Sequence, residues 1–172
     1  MKKMIFFISK DCRILNLAMY STQNVSLFST TGTGNRRRNE DRIFNHNIYH
    51  HKSEFFVGGI CDGHDGSTVA QFLKAYIPNE IEKQIKKLPE DVTTDDIVTI
   101  GKLVISTADE SIKTQFLDTE MYTDDDLGGS TLSFYIVSKS EIMIFQIGDS
   151  FVSVYDIKGN CLFQTKQHCK KM

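Results

Sequence analysis

The chain has 172 residues, 40 % of them hydrophobic, with 20 Lys and Arg against 22 Asp and Glu and a formal net charge of −2. That is enough sequence for one globular unit with a real core, and the near-balanced charge excludes a large basic field for nucleic acid. Four cysteines, at 12, 61, 161 and 169, form no C-x-x-C pair, so neither a zinc site nor a disulfide framework is indicated and reduced thiols are expected.

In chain order, "MKKMIFFISKDCRILNLAMY" starts basic and turns apolar, but Lys10, Asp11 and Arg13 interrupt it. The apolar run is far below the ~20 residues of a membrane span. No clean apolar core and small-residue cleavage site follow, so 1–22 reads as an N-terminal extension or a first core strand, with a targeting segment left open. "NVSLFST" alternates and predicts a strand over 25–31, and "TGTGN" is a turn by its glycines. "RIFNHNIYH" and "EFFVGGI" predict paired strands over 41–49 and 54–61.

Val69, Phe72, Leu73, Tyr76, Ile77, Ile81, Ile85 and Leu88 keep a three-to-four spacing that predicts a helix over 67–88. Pro78 is expected to kink it or to start a second helix. Ile97, Ile100, Val104, Ala108, Ile112 and Phe116 predict another over 95–117, with Thr93 or Thr94 as N-cap. After the acidic "LDTEMYTDDDLGG", period two returns in "STLSFYIV", "EIMIFQI" and "FVSVYDI", a strand meander from 130 to 165. Strands, two helices and a meander make an α+β order rather than a Rossmann alternation. "TGTGN" lacks the third glycine of a dinucleotide fingerprint.

Acids recur at the ends of these strands. Glu40 and Asp41 precede one, Asp62 follows another in "CDGHDG", and Asp149 lies at a strand junction in "QIGDSF". Carboxylates from separate segments, gathered at strand ends, suit hard cations such as Mg²⁺ and Mn²⁺. Gly63 lets the backbone bend so that its carbonyl can join them. His64 can exchange a proton near neutral pH, and an arginine's planar fork can hold phosphate. Singly, each feature reads as an ordinary turn or a solvated charge; the ordered combination carries the argument.

That combination resembles the type 2C metal-dependent protein serine/threonine phosphatases (the PPM family). "RRRNED" is similar to the family's Arg-x-x-x-Glu-Asp, "VGGICDGHDG" to its strand into Asp-Gly-His-Gly-Gly, "LGGSTLSFYIV" to its Gly-Ser-Thr strand and "IFQIGDSFVSVY" to its Gly-Asp-Ser-Arg junction. The likeness runs over about 25–168. It implies a partial α-β-β-α sandwich, with mixed or antiparallel sheets flanked by two long helices and the C-terminal part missing, in a domain over 23–172. It implies that Arg36 binds substrate phosphate, that Glu40 contacts one metal and that Asp41 binds or orients a metal-bound water. Asp62 would bridge two Mg²⁺ or Mn²⁺ ions, with the Gly63 carbonyl as a further ligand. His64 would act as general acid, and Asp149 would serve a third, weaker metal. The implied reaction is in-line attack by a metal-bridging water on phosphoserine or phosphothreonine, without a phosphoenzyme.

The sequence departs from the family at Asp65, where glycine is usual, and at Phe151, where arginine is usual. The later Asp-Gly and Asp-Asn motifs are not among these 172 residues, and "FQTKQHCKKM", with His168, stands near the family's Leu-Thr-x-Asp-His. A weak or inactive phosphatase is therefore expected of this chain. The alternative is a non-catalytic, phosphatase-like binding or regulatory module. The expected setting is a cytoplasmic or nuclear monomer acting on phosphoproteins, with no nucleic acid and no membrane span.

Overall fold

The structure is a computed structural model that describes residues 4–8, 15–17, 39–117, 128–139, 141–156 and 158–166. The strand predicted over 25–31, together with Arg36 and His168, lies outside the described residues. Two short strands come first, β1 (Met4–Ile8) and β2 (Leu15–Leu17). β3 (Arg42–His50) and β4 (Ser53–Cys61) form a hairpin in unbroken register from Arg42↔Cys61 to His50↔Ser53. The turn places His51 at φ 50, the left-handed corner that tight hairpins require. A two-residue strand, β5 (Gly63–His64), follows directly.

Helix α1 spans Thr68–Ile85 and buries Val69, Ala70, Leu73, Ile77, Ile81 and Ile85. Of the kink or second helix expected at Pro78, no second helix starts there; the proline lies inside one continuous helix. Proline removes the N–H that would bond the carbonyl four residues earlier. That residue, Lys74, is exposed, so water can take the place of the lost bond. Helix α2 spans Thr94–Ile112, and the last turn of the predicted helix, Lys113–Leu117, is wound as a π-helix. Thr93 is the N-cap: its side chain accepts from the Asp96 N–H while the Asp96 carboxylate accepts from the Thr93 N–H, a reciprocal capping box. The meander comprises β6 (Gly129–Ser130), β7 (Leu132–Val137), β8 (Ile142–Ile147), β9 (Val152–Asp156) and β10 (Cys161–Gln164).

A five-stranded sheet in the order β2-β8-β7-β4-β3 is antiparallel at every pairing, and a three-stranded antiparallel sheet runs β1-β9-β10. Alternation along the central strands sends side chains to two cores. Phe44, Ile48, Leu132, Phe134, Ile136, Met143 and Phe145 face the helices, meeting Ile77, Ile81, Ile97, Ile100 and Val104. Tyr135, Val137, Ile142 and Ile144 face the other way, meeting Val152 and Val154 of β9. The layers are thus helices, large sheet, small sheet. This is the expected α+β sandwich with antiparallel sheets and two long helices, both packed on one face.

Candidate metal and phosphate site

The acids named from the sequence lie at strand ends on one edge of this sandwich. The β4–β7 ladder runs as far as Ile60↔Ser133, and β5 then pairs with β6 through Gly63↔Ser130 and His64↔Gly129. Between these two ladders sits Asp62. Its carbonyl accepts the Thr131 N–H at 3.0 Å, and its own N–H reaches Thr131 Oγ1 at 3.3 Å. The Asp62 backbone is therefore held on both sides by a single threonine, and its side chain leaves a rigid support.

Glu40 approaches this support from the start of β3. A Cβ placed on Gly63 would lie 2.6 Å from the Glu40 carbonyl oxygen. Only a residue without a side chain lets the two segments come so close. Glu40, Asp41 and Asp62 are half-buried, Gly63 is buried, and His64 and Asp149 are exposed. The Asp41 N–H is bonded by Asn39 Oδ1 at 2.9 Å. Arg42, next in the chain, turns back to the carbonyls of Asn39 and Asp41, both at 2.9 Å, and to Gln71 Oε1 of α1 at 2.7 Å. This guanidinium braces the acid-bearing segment against the helix layer.

His64 stands over β6: a Cβ on Gly129 would meet its Nε2 at 2.4 Å. Asp65 follows at φ 58 and Gly66 at φ 141. The first value is the left-handed region, in which aspartate is among the better-tolerated side chains. The unusual Asp65 therefore keeps the turn that a glycine would make. Asp149 lies in the turn between β8 and β9, after Gly148 at φ 94. The neighbouring Ser150 is buried, with Oγ 2.7 Å from Thr131 Oγ1 and its carbonyl accepting from Gln146 Nε2.

Three separate segments thus meet through Gly63, Thr131 and Ser150. The oxygens they carry, carboxylates and the Gly63 carbonyl, are of the hard type that Mg²⁺ and Mn²⁺ prefer. The close approach at Gly63 brings the Glu40 and Asp62–Gly63 backbones together, and the donor chemistry on these segments fits such an ion. Among the described residues, no three His, Cys, Asp or Glu side chains converge tightly enough to hold a metal by themselves. The segments offer part of a coordination shell.

Thr131, Ser150 and Gln146 were not singled out from the sequence. Their signal was present as polar residues set in otherwise apolar strands, with Ser133 and Gln146 directly paired across β7 and β8. A cavity of about 360 Å³ lies at the opposite end of β4, lined by Ser53, Phe55, Thr93, Thr94, Lys139 and Glu141, and includes none of these acids. Cys61 is buried beside Asp62, and burial pushes its thiol up to about 12, which leaves it protonated and inert.

The family profile described as Protein phosphatase 2C matches residues 25–169. The chain is 24 % identical over 149 residues to "Protein phosphatase 1L" of Bos taurus, a match covering 87 % of this chain and 40 % of that protein. It is 34 % identical over 92 residues to "Probable protein phosphatase 2C 52" of Oryza sativa subsp. japonica, covering 54 % of this chain and 16 % of that one. The chain therefore spans less than half the length of either relative. None of the described helices is long and apolar enough to cross a membrane.

Proposed function

The chain belongs to the protein phosphatase 2C family, and from that premise we propose that it acts on phosphoserine and phosphothreonine in phosphoproteins through Mg²⁺ or Mn²⁺. The observation that carries the reading is the Asp62–Gly63–His64 turn, tied to the Glu40 segment through Gly63 and to the Asp149 turn through Thr131. Glu40, Asp41, Asp62, the Gly63 carbonyl and Asp149 are the groups that would hold the ions. When bound, such ions supply positive charge to the phosphoryl oxygens and lower the pKa of the attacking water.

The chain's own residues do the remaining work. Asp62, anchored at both backbone atoms, presents its carboxylate from a fixed backbone position. His64 is exposed and two residues after Asp62, so its ring can deliver a proton to the departing seryl or threonyl oxygen. Arg36, outside the described residues, is assigned to the substrate phosphate by the resemblance of "RRRNED" to the family's Arg-x-x-x-Glu-Asp motif. We expect these 172 residues to be a weak or inactive catalyst. A hard cation held by few protein carboxylates and otherwise by water binds weakly, and among the described residues no three such groups converge.

The test is phosphate release from a phosphothreonine peptide by the purified chain, with Mn²⁺, with EDTA, and in Asp62→Asn. Slow release that needs Mn²⁺ and disappears in Asp62→Asn is expected. Release that persists in EDTA would overturn the metal reading. Phosphopeptide binding without any turnover would favour a binding module, a reading that the sparse set of converging acids also supports.

A further inference from the structure

We propose that Thr131 is a positioning residue whose buried hydroxyl couples Asp62 to the turn bearing Asp149, so that cation binding at the two carboxylates is linked. This rests on the metal reading above and adds to it a residue that touches no substrate.

Hydroxyl accounting carries the argument. Thr131 is buried, as is Ser150. Thr131 Oγ1 accepts the Asp62 N–H at 3.3 Å. Its own single proton is then available for Ser150 Oγ, 2.7 Å away. The Thr131 N–H is spent on the Asp62 carbonyl. One residue therefore closes the gap between two strand ladders on one side and pins the β8–β9 turn on the other. The methyl of the same threonine also backs that turn, since a Cβ on Gly148 would meet Thr131 Cγ2 at 2.8 Å.

A second observation points the same way. Gln146 is fully buried on the sandwich face of β8, and its Nε2 donates to the Ser150 carbonyl. Its Oε1, and the Oγ of its cross-strand partner Ser133, are buried with no hydrogen-bond partner among the described residues. An apolar pair would suit that core better, because orphaned polar atoms cost stability. A buried amide that gains one bond to Ser150 and leaves one oxygen orphaned is explained if the position of the Asp149 turn matters more than the packing. Gln146, Ser150 and Thr131 then form a continuous relay that ends on both backbone atoms of Asp62. Groups that orient metal ligands from behind typically change metal affinity about 10- to 100-fold when removed.

The experiment titrates Mn²⁺ against the 172-residue chain, following the free-ion signal by electron paramagnetic resonance, with folding checked by circular dichroism. Thr131→Val, which keeps the shape and removes the hydroxyl, should weaken Mn²⁺ binding about tenfold or more. Thr131→Ser, which restores the hydroxyl, should return affinity to within about twofold of the original, a rescue that a mere packing role would not produce. Asp149→Asn should weaken binding in the native background and add little in Thr131→Val, because the turn is already released. If Thr131→Val does not fold, Ser150→Ala removes the same link from the other side and should lower affinity several-fold. Native-like Mn²⁺ affinity in Thr131→Val or in Ser150→Ala, alongside a clear loss in Asp62→Asn, overturns the coupling alone. Equal Mn²⁺ affinity in the native chain and Asp62→Asn overturns the metal reading beneath it.

Discussion

His64 and Gly129 show how one residue can be held by the absence of a side chain on another. The His64 ring lies where a Cβ on Gly129 would be, and Gly129 is not at positive φ, so alanine suits its backbone. His64 is exposed, so in Gly129→Ala the ring can swing outward at little cost. Stability should change by no more than about 0.5 kcal/mol. The His64 ring resonances in a proton–carbon NMR spectrum should move, while those of His50, held by the Leu88 and Pro89 carbonyls, should stay. A His64 signal that does not shift would show that the ring is placed by something other than Gly129. At this scale the sequence was partly legible. Glu40, Asp41, Asp62, Gly63, His64 and Asp149 could be named from motif order, whereas the threonine and serine that tie them together could not. A hydrogen bond between residues 131 and 150 leaves no pattern in a linear chain.

At the level of elements, α2 approaches the large sheet most tightly at Gly101. A Cβ on Gly101 would come within 2.1 Å of the Phe145 ring, and that ring stacks on Phe134 with centroids 4.8 Å apart. Two effects compete in Gly101→Ala. Helix propensity favours alanine by about 1 kcal/mol, while overpacking a filled core costs about 1–3 kcal/mol. The stacked rings have nowhere to go between helix and sheet, so the substitution should destabilise, by up to about 2 kcal/mol net. A lower urea midpoint with an unchanged slope is expected; a raised midpoint would mean that the helix can lift from the sheet. Pro78 carries the opposite lesson. Local propensity argued for a kink or a second helix, and burial of Ile77, Ile81 and Ile85 on one face kept one helix running through the proline. The π-wound turn after Ile112 likewise could not be read from spacing, because Phe116 fits the apolar stripe under either winding.

For the whole molecule, the large sheet separates two cores, and each contains one group that resists ionisation. Burial pushes the Cys61 thiol from 9.0 to about 12 on the helix side, and the Tyr135 phenol from 10.0 to about 12 on the sandwich side. Well below pH 9 both groups keep their protons whether the chain is folded or not, so neither affects stability. Above it, the unfolded chain releases protons that the folded chain retains, and stability falls as pH rises towards 12. Each group contributes up to about 1.4 kcal/mol per pH unit over its own interval. The urea midpoint should therefore be lower at pH 10.5 than at pH 8.0. Cys61→Ala combined with Tyr135→Phe should flatten that difference. An equal pH dependence in the double variant would show that neither group stays protonated in its core.

Taken alone, the sequence determined the kind and order of the elements. The switch from period two to a three-to-four spacing and back was read over 41–61, 67–117 and 130–165, because a half-buried strand and a half-buried helix must repeat at different intervals. It also determined which residue types stand at the strand ends, and hence the oxygen chemistry on offer. Tertiary structure decided the rest. It placed both helices on one face, extended α1 through Pro78, brought Glu40 against Gly63, and joined Asp62 to the Asp149 turn through Thr131. These are contacts between residues up to 69 positions apart, set by sheet register and by how closely two backbones can pack. Local periodicity carries no information about either.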